Sequence, residues 1–91
     1  MNSARLSVIR SRLEHSLAPL ELEVQDDSAK HQGHAGARDG RGHYSLRILA
    51  PAFANLGRLE RHRMIYAALG DLMQTDIHAL SITALAPGEQ N

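Results

Sequence analysis

The spacing of apolar positions switches between helical and strand period along the chain. Leu6, Ile9, Leu13 and Leu17 fall three, four and four residues apart. That spacing predicts an amphipathic helix with Ser3 as its N-cap and Arg5, Arg12 and Glu14 outside. Pro19 stops it. Leu20, Leu22 and Val24 then alternate with Glu21, Glu23 and Gln25, the period of a strand with one wet face, closed by Asp26-Asp27. From Ser28 to Gly42 no apolar period is present, and glycine recurs at 33, 36, 40 and 42. A loop of that length inside a small domain is functional or mobile. Tyr44, Leu46 and Ile48 alternate with Ser45 and Arg47 as a second strand, which Pro51-Ala52 breaks.

The stretch from Phe53 to Thr83 organises the rest. After a turn, Leu59, His62, Ile65/Tyr66, Leu69 and Leu72/Met73 recur at helical spacing, with Arg58, Glu60, Arg61 and Arg63 beside or opposite them. One long helix is predicted, loosened near its end by Gly70, which costs about 1 kcal/mol relative to Ala. A turn at Gln74-Thr75-Asp76 ends it. His78, Leu80, Ile82 and Ala84 then alternate with Ala79, Ser81 and Thr83 as a third strand. Residues 86–91 have no period and are expected to form a disordered tail behind a single domain, 1–85.

A short connection makes the first two strands antiparallel. The helix after the second strand is a crossover that returns the third parallel to it, with the usual right-handed sense. The expected fold class is therefore α+β: a three-stranded mixed sheet with helices on one face.

Composition narrows the function classes. Ten basic and ten acidic side chains give a formal net charge of zero, so bulk attraction to nucleic acid or membrane is not indicated. With no cysteine, disulfides, thiol catalysis and thiolate metal sites from this chain alone are excluded. No apolar run approaches the roughly 20 residues of a membrane span, and the polar start leaves no room for a signal peptide, so a cytoplasmic protein is expected. No hydrolase motif, P-loop or paired-carboxylate pocket is present. Asp26 and Asp27 are adjacent on a strand and point to opposite sides, so the chain is expected not to be an enzyme.

Six histidines, at 15, 31, 34, 43, 62 and 78, are the compositional oddity and the borderline-soft metal ligands this chain has. His62, near the helix seam, reads as a partly buried histidine bonded to backbone. His78 heads the last strand, with a ring nitrogen able to leave the surface. Gly33-His34-Ala35-Gly36 spells the GxxG of KH domains but sits between strands rather than between helices.

Phe53, Leu59, Arg61-His62-Arg63-Met64-Ile65-Tyr66 and Ile77-His78-Ala79-Leu80 carry a resemblance to the BolA family. It extends upstream through Asp26 to His31 and Gly42-His43-Tyr44, covering roughly residues 4 to 85. Asn55 stands where most of the family has Gly, and Asn tolerates positive φ, so the turn is expected to survive. The resemblance implies an α-β-β-α-α-β order similar to a type II KH domain. It also implies a monothiol glutaredoxin partner with bound glutathione, sharing a bridging 2Fe–2S cluster. The family's strand histidine falls on His78 and its loop ligand on His31, with His43 and His62 structural or auxiliary. Imidazole in place of thiolate raises a cluster's potential. Because imidazole takes a proton near pH ~6.5, acid should release the iron. Alone, the chain is expected to be a monomer or weak homodimer.

The alternative implied by some bacterial members is a DNA-binding transcriptional regulator, using Arg58, Arg61, Arg63 and Arg41 on phosphates.

Overall fold

A computed structural model describes residues 3–28 and 42–89. The elements run α1 (Ser3–Leu17), β1 (Glu21–Asp26), β2 (Gly42–Leu49), a 3-10 turn (Pro51–Phe53), α2 (Arg58–Leu69), α3 (Leu72–Thr75) and β3 (Ile77–Leu85). The strands lie in the order β1-β2-β3, with β1 antiparallel to β2 and β3 parallel to it, as the connection lengths predicted. His31 and Arg41 lie outside the described residues, as do His34 and the rest of the glycine-bearing connection.

One face of the sheet is apolar. Leu22 and Val24 of β1, Tyr44, Leu46 and Ile48 of β2, and Leu80, Ile82 and Ala84 of β3 share it. Against it α1 lays Ile9 and Leu13, both fully buried, and Leu17. Each such side chain contributes about 1.5–3 kcal/mol on leaving water. Leu20, expected in the inward row, is 63% exposed, because β1 begins only at Glu21. The connection into α2 depends on Phe53 and Asn55. The 3-10 turn drives the fully buried Phe53 ring into the core, and Asn55 adopts φ +66°, the left-handed geometry its side chain tolerates.

The long helix is instead two. Gly70 takes φ +55° and ψ −127°, which ends α2, and α3 adds a further turn before β3. The Arg12 guanidinium covers the break, donating to the last carbonyl of α2 at Leu69 (3.0 Å) and pairing with Asp71 (3.3 Å). Arg5 likewise donates to Asp76 at 3.0 Å. Two arginines expected to face solvent thus tie α1 to the end of the helical layer.

The phase of α2 also differs from the expectation. Ile65 and Leu69, both fully buried, set the inward line. At about 100° per residue, Arg61 lies about 40° from Ile65 and Leu59 about 120° away. Leu59 is accordingly 62% exposed and Tyr66 43%, while the Arg61 side chain is only 12% exposed. Arginine, not leucine, begins the buried row.

The end of the chain is anchored to Glu89 rather than loose from residue 86. Ala86 is 3% exposed, and a turn through Pro87 and Gly88 brings the Glu89 carboxylate back onto Arg61.

Gly70→Ala is expected to destabilise the protein by about 1–3 kcal/mol. A Cβ there meets nothing closer than 3.6 Å, so the cost is the backbone conformation. Urea unfolding measures it, and an unchanged midpoint would mean that α2 continues through this position.

Candidate functional site

The first residues of β3 face two requirements that strict alternation cannot meet together. Ile77, 1% exposed, points into the core directly after α3, and Leu80, Ile82 and Ala84 also point inward. Ile77 and Leu80 are three apart, an odd spacing for a period of two. The pairing absorbs the extra residue as a bulge: Gly42 aligns with Ile77, but His43 aligns with Ala79. His78 is the residue left over. It is therefore not in the inward row with Leu80, as alternation predicted, but exposed beside the sheet's open face.

There its ring meets His43. The two imidazole centroids are 5.1 Å apart and inclined at 42°. Gly42, just before, carries the Tyr44 ring where a Cβ would stand. The gap to its ring and phenol atoms would be 2.6–2.7 Å, which accounts for glycine at the bulge. Burial pushes the Tyr44 phenol above its ordinary pKa, so it stays neutral beside Arg5.

The end of β1 fastens the same corner. Asp26 accepts the Ser28 N–H (2.8 Å) and Ser28 Oγ accepts the His43 N–H (3.1 Å). On the other face Asp27 accepts a hydrogen bond from Ser45 Oγ, and its own N–H donates to the His43 carbonyl (2.7 Å). The adjacent carboxylates serve opposite faces, as expected. Asp27, His43 and Ala79 line a shallow depression of about 260 Å³. His43 keeps Nε2 buried, whereas His78 is exposed and offers the accessible imidazole.

No group of three histidine or carboxylate side chains among the described residues could hold an ion. A metal at this corner would meet two imidazoles here and need its remaining ligands from elsewhere. Two imidazoles alone fall short of the four ligands of a closed site, so the described residues could supply only part of a centre. His31, the expected second ligand, lies outside the described residues. His43, expected as auxiliary, is the histidine that the fold brings to His78. The signal was present in the sequence as the odd Ile77–Leu80 spacing.

The arginines divide. Arg58 and Arg63 are exposed on α2. Arg61 donates to the Leu56 (2.9 Å) and Ala84 (3.0 Å) carbonyls and forms a two-pronged pair with Glu89 at 2.6 and 2.7 Å. While Glu89 is in place, these bonds occupy the guanidinium that was expected to meet phosphate. His62 is half-buried and lines a groove beside Arg61.

A three-stranded mixed sheet with its helices on one face and a histidine pair at the bulged mouth of its parallel strands defines a small α+β domain. The chain belongs to the BolA-like protein family, which matches residues 13–89. That description names no reaction. The chain is 46% identical over 86 residues to SufE-like protein 1, chloroplastic/mitochondrial, of Arabidopsis thaliana, covering 89% of this chain and 23% of that protein. The solved BolA domain of that plant's SufE1 is 41% identical and covers 99% of each chain, with a TM-score of 0.82. The DNA-binding transcriptional regulator BolA of Escherichia coli is 35% identical over 79 residues, 82% of this chain and 72% of that protein. This chain thus spans under a quarter of the plant relative's length. No helix among the described residues is long and apolar enough to cross a membrane.

The Arg61 pair holds the Glu89 carboxyl down at about 2, from an ordinary value of 4.5. A depressed acid stabilises the fold above its unfolded pKa and loses that contribution as pH falls through the folded one. Between about pH 5 and pH 2 the wild-type protein is therefore expected to lose an increment of stability that Glu89→Gln lacks throughout. Urea midpoints across that range check it, and parallel pH curves for the two proteins would contradict it.

Proposed function

We propose that this chain is the histidine-bearing partner of a monothiol glutaredoxin, and that a 2Fe–2S cluster is carried as cargo between them with His78 as this chain's ligand. The observation that carries the reading is the bulge, which puts an exposed imidazole within 5.1 Å, ring to ring, of a second one. With no cysteine in the chain, thiolates must come from the glutaredoxin and its bound glutathione. The second imidazole from this side is His31, which the family resemblance favours, or His43, which stands next to His78. Histidine ligation makes such a centre less negative and raises its potential. Binding requires neutral imidazole, so protons compete with iron and acid favours release. A cysteine-free chain that borrows its thiolates also suits a reducing cytoplasm.

Anaerobic reconstitution with a monothiol glutaredoxin and glutathione tests this. His78→Ala is expected to abolish or replace the ultraviolet–visible and electron-paramagnetic signature of the mixed complex. His31→Ala and His43→Ala identify the second ligand by which of them shifts the spectrum. Wild-type spectra from His78→Ala would remove the assignment.

A second reading has its own observation: Arg58 and Arg63 stand exposed on α2, and a relative 35% identical is named a DNA-binding regulator. On this reading phosphate contact falls to those two side chains, with Arg41 from outside the described residues and without Arg61. Each of Arg58→Ala and Arg63→Ala should then lower the slope of log affinity against log salt by about 1. Duplex binding that does not depend on salt would count against it.

A further inference from the structure

At the far end of β3 from His78 the chain carries a second site of different chemistry. β3 is an edge strand, and its outer side faces the start of α2 across a groove of about 460 Å³. Arg61 lies in it, withdrawn from solvent to 12% exposure. Its Nε–H is held by the Leu56 carbonyl and one Nη1 hydrogen by the outward-facing Ala84 carbonyl, so the guanidinium plane is fixed by backbone. Both terminal nitrogens then grip a single carboxylate, Glu89, at 2.6 and 2.7 Å, the parallel two-bond geometry that suits a planar carboxylate.

The carboxylate is held, but the segment bearing it is lightly attached. Pro87 and Gly88 are exposed, and nothing lies within 4 Å of where a Gly88 Cβ would be. Beyond Ala86, the further hydrogen bonds of the segment among the described residues lie within the turn itself, Ala86 N–H to Glu89 Oε1 (3.0 Å) and Glu89 N–H to the Ala86 carbonyl (3.1 Å). Swinging the turn away would uncover Arg61 without opening the core. Arg58 and His62 line the same groove and have no acidic partner among the described residues. The site therefore offers more cationic capacity than one glutamate uses.

We propose that this groove binds the carboxylate of an acidic peptide segment from a partner protein, and that Glu89 is an occupant in cis which that segment displaces. A peptide fits better than a nucleic acid on two grounds. The fixed guanidinium already holds a carboxylate, and the adjoining outer edge of β3 offers backbone groups that an extended peptide can pair with. The site is four to six residues along β3 from His78, roughly 13–20 Å, so it stands or falls independently of the cluster reading. An internal competitor on a short tether acts at millimolar effective concentration and masks the groove's intrinsic affinity.

Titration of the isotope-labelled full chain with an acetylated tetraglutamate peptide, followed by amide chemical shifts, tests it. Glu89→Ala is expected to bind the peptide at least tenfold more tightly than wild type, with shifts centred on Gly57, Arg61 and Ala84. Adding Arg61→Lys, which keeps the charge but loses the fork, should return the affinity to wild-type level or below, and tetraglutamine should cause no shifts. Equal affinity in wild type and Glu89→Ala would overturn the proposal. So would inorganic phosphate or a short single-stranded DNA matching tetraglutamate at these residues, since the site would then be a general anion patch.

Discussion

The parallel pairing of β2 with β3 is the constraint on which the rest of the molecule depends. It must bury Ile77 at the very start of the strand and Leu80, Ile82 and Ala84 further along, although the first two are separated by an odd step. A slip of one residue through the whole ladder would turn the inner row of β3 outward, costing several buried side chains at about 1.5–3 kcal/mol each. One bulge solves the conflict locally. Its by-product is an exposed imidazole, His78, standing over His43. Gly42 belongs to the same solution, because the Tyr44 ring occupies the space above it. Packing thus creates the feature on which the proposed ligand role rests.

The helical layer is held to that sheet by arginines acting on backbone carbonyls. Arg12 closes the end of α2 at Leu69, and Arg61 joins the turn before α2 to the outer edge of β3. In each case the guanidinium satisfies acceptors that a helix end or strand edge leaves open. Exposed ion pairs alone would contribute little. The pairing of Arg61 with Glu89 differs because the guanidinium is mostly withdrawn from water and both prongs are used.

Much of this was legible in the sequence. The element order, strand directions and inward residues of α1, β2 and, apart from Leu20, β1 follow from apolar spacing and connection length, and the positive φ at Asn55 follows from its substitution for Gly in a tight turn. Three features were not legible, each for a physical reason. Gly70 reads as a weak point within a helix, and only its left-handed conformation, sealed by Arg12 from another element, makes it the end. Leu59 attracts a burial assignment by its hydrophobicity, yet Ile65 and Leu69 fix a phase that turns it outward and brings Arg61 in. The proline- and glycine-bearing end has no period because its order comes from one long-range ion pair, which periodicity does not register. His78 was legible as a surface candidate, but its departure from the Leu80 row was not, because strict alternation has no place for an extra residue.

The two ends of β3 therefore have different chemistry: an exposed imidazole beside a partly buried one at its start, and a carboxylate-gripping guanidinium near its finish. The claim beneath the first of these is that the bulge brings His43 and His78 together in the uncomplexed protein. Nuclear Overhauser contacts between their ring protons measure this directly. With centroids at 5.1 Å, cross-peaks between the two imidazoles are expected, together with the Ala79–His43 pairing contacts of the shifted register. Contacts that instead pair His43 with His78 in an unbroken ladder, with no ring-to-ring cross-peak, would contradict it.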